Sequence, residues 1–521
     1  MGGLTTHVLD TAHGKPGSGI PLTLHRVSAE RELLVTTVTN SDGRTDLPLL
    51  DDNSQVPDTY ELTFSVAEYF RKTGAIDDAA FLDSITLRFT ITDSSHYHIV
   101  HCLDDTEAGL QFFTDGMLLV KDGKVIELGP AENIRAQLSA DSLIIDHGEH
   151  LICPGLIDCH VHFPQLDVIA SYGAQLLDWL ETYTFPSEAR YGDPEIAQAD
   201  ANFFIDELLR NGTTTALVFA SVHPTSVDAI FTAAQQRNMR LAAGKVLMDR
   251  NCPANLQDTP ASAYHDSREL IEKWHHQDRL LYAITPRFAV TSSDAQLAAA
   301  GQLAEEFPDT LIHTHLSENL DEVAWITELF PHARSYLDVY AQHGLLRERS
   351  VFAHCIHLHE EDYQEFAQHG GGMAFCPSSN LFLGSGLFDL KKAHAYGVNV
   401  GLGTDVGGGT SFSLLQTINA AYKVLQMQKQ SLHSAEALYL ATLGGAKTLG
   451  IDDKVGNFLS GKEADFIILD NTPTPLLARR LAQAHTHKDA LFMHMILGDD
   501  RSISETYILG ERVYKKGTVS S

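Results

Sequence analysis

His160 and His162 stand two residues apart in "GLIDCHVH", at the end of an apolar run that reads as a buried strand. Strand alternation puts both imidazoles on one side, close enough to hold a single cation. His315, His354 and Asp405 close three later runs of the same kind, and Arg287 closes another. Imidazoles joined by a carboxylate suit Zn²⁺ with one position open for water. Such an ion lowers the pKa of its water to about 7. Glu318, three residues after His315, is then placed to take a proton from that water and pass it to a leaving group. Asp405 would hold the water and His354 would hydrogen-bond to it. His313 lies two residues before His315 and shares its face, so spacing alone admits either as ligand; His315 is nearer the strand end and has Glu318 beside it. Taken singly, a His-x-His pair is as readily two hydrogen-bonded histidines, and a glutamate is usually solvated. The weight comes from several runs ending alike.

Residues so far apart meet only where a fold gathers strand ends. Eight short apolar runs alternate with longer helical segments: "GLIDCHVH", "TTTALVFA", "RLAAGKVLM", "LLYAITPRF", "TLIHTHLSE", "SVFAHCIHL", "GMAFCPSS" and "VNVGLGTD". They predict an α/β fold, a (β/α)₈ TIM-like barrel over 153–454 whose strand C-termini open on one face. A doubly wound open sheet is the alternative. In "DGMLLVKDGKVIELGP" two strand runs flank Asp122-Gly123, a hairpin signal. "EADFIILD" and "SETYILGERVYKKG" supply further strands near the other end, so 100–152 and 455–521 predict a small β-sandwich built from the barrel's flanks. Residues 1–99 read as a separate all-β domain, with alternating runs such as "IPLTLHRV" and "SITLRFTIT" and one helical stretch, "TFSVAEYFRKTG".

Composition sets bounds on function. With 521 residues, 44% of them hydrophobic, the chain has material for two or three domains. A net charge of −31 repels phosphate backbones and anionic membranes, so neither nucleic acid nor membrane is an expected partner. There is no charged-then-apolar leader and no run of about 18 or more apolar residues, and the expected location is cytoplasmic. The six cysteines show no C-x-x-C spacing, which argues against a disulfide framework, a cysteine zinc site and the cytidine-deaminase zinc motif.

Six segments, "PGLIDCHVHFPQ", "ITPRFAVTSS", "HTHLSEN", "FAHCIHL", "CPSSNLFLGSGLF" and "GLGTDVGGG", together resemble the guanine deaminases of the amidohydrolase superfamily, over about residues 100–519. The resemblance implies one Zn²⁺ per chain surrounded by His160, His162, His315 and Asp405, with Glu318 as proton shuttle and His354 supporting the water. It implies that Arg287 donates to a purine carbonyl, that Phe288 packs on the ring, and that Gln165 contacts the purine edge. An arginine fork suits a carbonyl and its neighbouring nitrogen, and leaving it buried and unmatched penalises adenine. The implied reaction is hydrolysis of guanine to xanthine and ammonia in purine catabolism, by a homodimer or higher homo-oligomer. An amidohydrolase acting on another aminated heterocycle is the alternative. The superfamily's binuclear branch usually carries a lysine at the end of the fourth strand; "TPRF" here favours one metal.

The front segment differs. "LTTHVLDTAHGKPGSGIPLTL", "TNSDGRTD", "YELTFSVAEYF" and "SSHYHI" resemble the transthyretin-like 5-hydroxyisourate hydrolases. That resemblance implies His7, Arg44 and His98 as catalytic positions, able to activate water and stabilise an anion without metal. It breaks off after "HYHI": the family's last strand and its terminal Tyr-Arg-Gly-Ser are absent, and "HYHIVHCL" is left to end one sheet and begin the next. The chain is thus expected either to be bifunctional or to carry an inert or oligomerising front module.

Overall fold

The structure, a computed structural model, describes residues 4–11, 13–27, 31–50, 58–73, 83–91, 98–139, 141–173 and 175–517. It divides into two compact units, Met1–His96 and Tyr97–Ser521.

The first unit is built on a four-stranded antiparallel sheet in the order Arg31–Val38, Pro21–Val27, Asp58–Ser65, Ser84–Ile91. Alternation decides which side is covered: Leu22, Leu24, Tyr60, Leu62 and Phe64 are buried on one face with Ile20, Leu49 and Leu50. The expected helix from Thr63 is shorter, Ala67–Lys72. Thr63 and Phe64 instead extend the ladder opposite Thr86 and Ile85, with the two threonine hydroxyls 2.9 Å apart.

In the second unit, both flanks supply one six-stranded sheet, ordered Glu511–Lys515, Ile503–Ile508, Phe466–Leu469, Leu151–Pro154, His98–Cys102, Leu110–Phe113. Its apolar face packs Ile99, Ile152, Phe466, Ile468 and Tyr507 with Val125 of the hairpin Gly116–Lys121/Lys124–Pro130. At that hairpin's turn Asp122 (φ 51°) and Gly123 (φ 73°) both take the left-handed conformation that an Asp-Gly turn favours. Among the described residues "HIVHC" pairs in this sheet; His96 and Tyr97 before it lie outside the described residues.

The barrel follows the eight runs: β1 (Leu156–His162), β2 (Thr213–Phe219), β3 (Arg240–Gly244, resumed at Val246–Leu247), β4 (Leu280–Pro286), β5 (Leu311–Leu316), β6 (Ser350–His354), β7 (Gly372–Phe375) and β8 (Val400–Leu402). Successive strands pair in parallel in chain order. The ring returns to its start where the Asp405 N–H donates to the His160 carbonyl (2.9 Å) and the His162 N–H donates to that of Val406 (2.8 Å). This closure excludes the open doubly wound sheet. No helix among the described residues is long and apolar enough to cross a membrane.

One buried charge cluster joins barrel to sheet. Glu463 accepts from Arg240, at the start of β3 (2.7–2.9 Å), and from Arg279, just before β4 (2.7 and 3.1 Å). Burial by itself raises the Glu463 pKa, but the bonds from Arg240 and the charges of Arg279 and Arg240 outweigh it and hold it down at about 2. Glu463→Ala leaves the buried Arg240 guanidinium without its carboxylate and Arg279 with Asp465 as its remaining one, and is expected to cost about 3–5 kcal/mol in denaturant unfolding of this unit at neutral pH. Because the folded pKa is depressed, this stabilisation is present above the ordinary 4.5 and lost as pH falls toward 2, so the wild type's advantage should shrink across that interval. A gap independent of pH would show that the carboxylate charge contributes nothing.

Candidate active site

Alternation along β1 sends Asp158, His160 and His162 to the barrel interior. Asp158 accepts from the N–H groups of His160 (3.2 Å) and Thr404 (3.0 Å) and from the Thr404 hydroxyl, clamping β1 to the segment that carries Asp405. His160 Nε2 lies 3.1 Å from His162 Nε2, which is 3.3 Å from His315 Nε2. Asp405 Oδ1 is 3.1 Å from His160 Nε2 and 3.2 Å from His162 Nε2. Ser317 (φ 50°), His354 (φ 72°) and Asp405 (φ 51°) hold left-handed backbone at these strand ends, a strain of about 1–3 kcal/mol each that clusters at functional sites.

The partners of the outer ring nitrogens fix which lone pairs face inward. His315 Nδ1 donates to the Arg287 carbonyl (2.8 Å), and His354 Nδ1 donates to Asn380 Oδ1 (2.8 Å). In the neutral His315 ring Nε2 is then unprotonated, and the Nε2 atoms of both rings are directed into the cluster. His313 occupies the layer behind, with its Nε2 2.7 Å from His160 Nδ1, so of the two β5 histidines it is His315 that faces the other donors.

These spacings fit a cation. Two donors each 2.0–2.1 Å from one tetrahedral zinc are about 3.3 Å apart, close to the separations here. Burial lowers the pKa values of His160 and His315 and takes His162 to about 3, leaving neutral imidazoles. Burial opposes ionisation of Asp405, but the closeness of His160 and His162 holds its pKa well below the usual carboxylate range. Neutral imidazoles with an ionised carboxylate are the states that ligate metal. Among the described residues, donor atoms of His160, His315, His354 and Asp405 lie within 4.8 Å of one another. The short contacts of His162 add a fifth side chain, and His354 Nε2 is a buried atom with no hydrogen-bond partner among the described residues. A second group, His275, His276 and Asp309, does not fit. His275 Nδ1 accepts the Tyr282 N–H (2.9 Å), so its Nε2 keeps the proton and cannot ligate.

Beside the cluster, a cavity is lined by Glu318, Arg287, Phe288 and Gln165 together with the apolar side chains of Leu176, Trp179 and Leu180. Glu318 accepts from the Ser385 hydroxyl (2.9 Å), and its other oxygen is 3.4 Å from His354 Nε2. Burial, then the charge of Asp405, pushes its pKa up to about 8. One cationic fork, one aromatic face and one amide around an apolar slot suit a flat heterocycle bearing a carbonyl.

A family model described as the amidohydrolase family matches residues 151–513. The chain belongs to the amidohydrolase family. Residues 4–105 match the HIUase/Transthyretin family. The guanine deaminase of Escherichia coli (strain K12) is 54% identical over 425 residues, 81% of this chain and 97% of that protein. A solved structure of E. coli guanine deaminase superposes with a TM-score of 0.79, at 53% identity over 82% of this chain and all of that one (100%). A guanine deaminase from C. acetobutylicum with bound guanine in the active site superposes at 0.74, with 28% identity over 80% and 99% of the two chains.

Sequence reasoning missed one buried polar residue of this amidohydrolase pocket wall. Glu188, fully buried at the end of the short helix Phe185–Glu188, accepts from Arg287 Nη1 at both carboxylate oxygens (2.8 and 2.7 Å) and from Gln165 Nε2 (3.0 Å). The segment "FPSEAR" offers no periodicity or motif that marks it. In the front unit His7 and Arg44 form a β-bridge, with Arg44 Nη2 3.4 Å from His7 Nδ1. The expected third member, His98, belongs to the second unit, where its ring packs 5.5 Å from that of Phe112 and 6.1 Å from that of His487.

Proposed function

We propose that this chain hydrolyses guanine to xanthine and ammonia, using one zinc ion held by His160, His162, His315 and Asp405, as a step in purine catabolism. The observation that carries the reading is the junction at Arg287: its carbonyl orients His315, while its side chain forms the cavity wall. One residue thus ties the cation cluster to the base pocket, in a chain aligned with nearly all of a guanine deaminase.

Bound zinc supplies Lewis acidity that makes water acidic near neutral pH. Asp405 and His354 Nε2 would hold that water in place. Glu318 takes one proton from the water and gives it to the ring nitrogen as the C–O bond forms, then takes the second from that oxygen and gives it to the amine as the C–N bond breaks. Arg287 donates to the purine carbonyl, Gln165 meets the purine edge, and Phe288, 4% exposed, covers a ring face. Together with the apolar wall, these groups hold the carbon that carries the amine beside the cluster.

The direct test is ammonia release from guanine by the full chain, with zinc measured on the same sample. About one zinc per chain and turnover of guanine well above adenine are expected; no turnover of guanine in the zinc-loaded protein would end the reading. The same reading takes the working form to be a cytoplasmic homodimer, and light scattering of that sample should give the mass of two chains.

A further inference from the structure

The base-reading groups are themselves held by a carboxylate that no substrate needs to touch. Glu188 sits where three donor interactions converge, two from Arg287 Nη1 and one from Gln165 Nε2. Gln165 is fixed at its other end as well, since its Oε1 accepts the Gly407 N–H (3.1 Å). Glycine is required for that approach, because a Cβ at 407 would come within 2.6 Å of the Gln165 carbonyl oxygen. Glu188 is anchored in turn: the Ser221 hydroxyl donates to its carbonyl (3.0 Å) and the hydroxyl of Ser187 donates to the Pro164 carbonyl (2.8 Å). The Arg287 guanidinium also lies over the Phe185 ring, 5.4 Å from its centroid. Among the described residues Nε and Nη2 of Arg287 are committed to no acceptor.

Resting on the guanine reading, we propose that Glu188 is the positioning residue that sets specificity for the purine carbonyl. It turns Arg287 so that Nη2 and Nε face the base, and it fixes the orientation of the Gln165 amide. It also neutralises the buried guanidinium, so that the pocket selects a neutral carbonyl rather than any anion. The carboxylate is specifically required. In Glu188→Gln the new amide N–H₂ opposes a donor in either orientation: Arg287 Nη1 where it replaces Oε2, or both Arg287 Nη1 and Gln165 Nε2 where it replaces Oε1. Either arrangement frees Arg287 and Gln165 to leave their working geometry.

The test compares guanine with 2-aminopurine, which lacks the carbonyl, as competing ligands of the zinc-loaded full chain. The wild type should favour guanine strongly. Glu188→Gln should raise KM for guanine by about 10- to 100-fold, the cost of losing a charged hydrogen-bond network, with a smaller change in kcat. The inhibition constant of 2-aminopurine should move by less than about 3-fold, so the preference for guanine narrows by nearly the whole factor. In a Gln165→Met, Arg287→Met background the same substitution should change 2-aminopurine and guanine constants by less than about 2-fold, because its effect runs through those two side chains. Where Glu188→Gln does not accumulate folded, Glu188→Asp is read the same way, with a smaller narrowing. Equal losses on both ligands, or an unchanged preference, overturn the proposal while leaving guanine deamination standing. Absence of guanine turnover in the wild type overturns both.

Discussion

Glu318→Gln is expected to lower kcat for guanine by about 10³-fold or more, within the range assigned to a positioned acid–base group, while zinc content and KM stay near the wild-type values. Glutamine keeps the shape of the side chain and an oxygen for the Ser385 hydroxyl, so the pocket is preserved. It cannot carry a proton. Deamination needs the same group to accept a proton from water and release it to nitrogen, and Glu318 is suited to both tasks. Its burial and the nearby charge of Asp405 put its pKa at about 8, so both protonation states are accessible near neutrality. The geometry supports that assignment, with one oxygen held by Ser385 and the other facing His354 Nε2 at 3.4 Å. Single-turnover measurement on guanine isolates the chemical step. Undiminished turnover with zinc retained would remove Glu318 from the mechanism, and loss of zinc would reassign it to the cation site.

Much of the barrel was legible because its strands are buried on both sides. A run such as "TTTALVF" is uniformly apolar or small, and every residue of Thr213–Phe219 is buried. The facing of the histidine pair in β1 was legible for another reason: alternation is a local rule, and two histidines two residues apart obey it wherever the strand lies. The same rule could not separate His313 from His315, since both obey it. Only the layering of the barrel interior, which places His313 behind His160, distinguishes them. Glu188 was invisible because its partners, Arg287 and Gln165, are 99 and 23 residues away and the helix that presents it has a single turn. "HIVHC" was legible as a strand because it is largely apolar, and it pairs between Leu151–Pro154 and Leu110–Phe113.

The β5 pair gives the sharpest test of how the cation is held. His315→Ala removes a ring whose Nε2 lone pair faces the other donors, and should abolish stoichiometric zinc and with it guanine turnover, by about 10³-fold or more. His313→Ala removes a ring that meets the far nitrogen of His160, at 2.7 Å, and packs 4.3 Å from the Phe219 ring. Outer partners of this kind typically contribute about 10- to 100-fold in metal affinity or activity, so that variant should still bind zinc when the ion is in excess and regain most of its turnover. The two substitutions are identical in chemistry and differ by a single step of alternation on one strand, with His313 buried and His315 half-buried. A generic loss of packing would therefore weigh at least as heavily on His313→Ala, whereas direct ligation makes His315→Ala the costlier. Zinc titration monitored by bound metal, followed by the guanine assay at saturating zinc, distinguishes the cases. Reversal of the order, with His313→Ala losing the ion and His315→Ala keeping it, would place the ligand one layer deeper and dissolve the link between His315 and the carbonyl of Arg287 on which the functional reading rests.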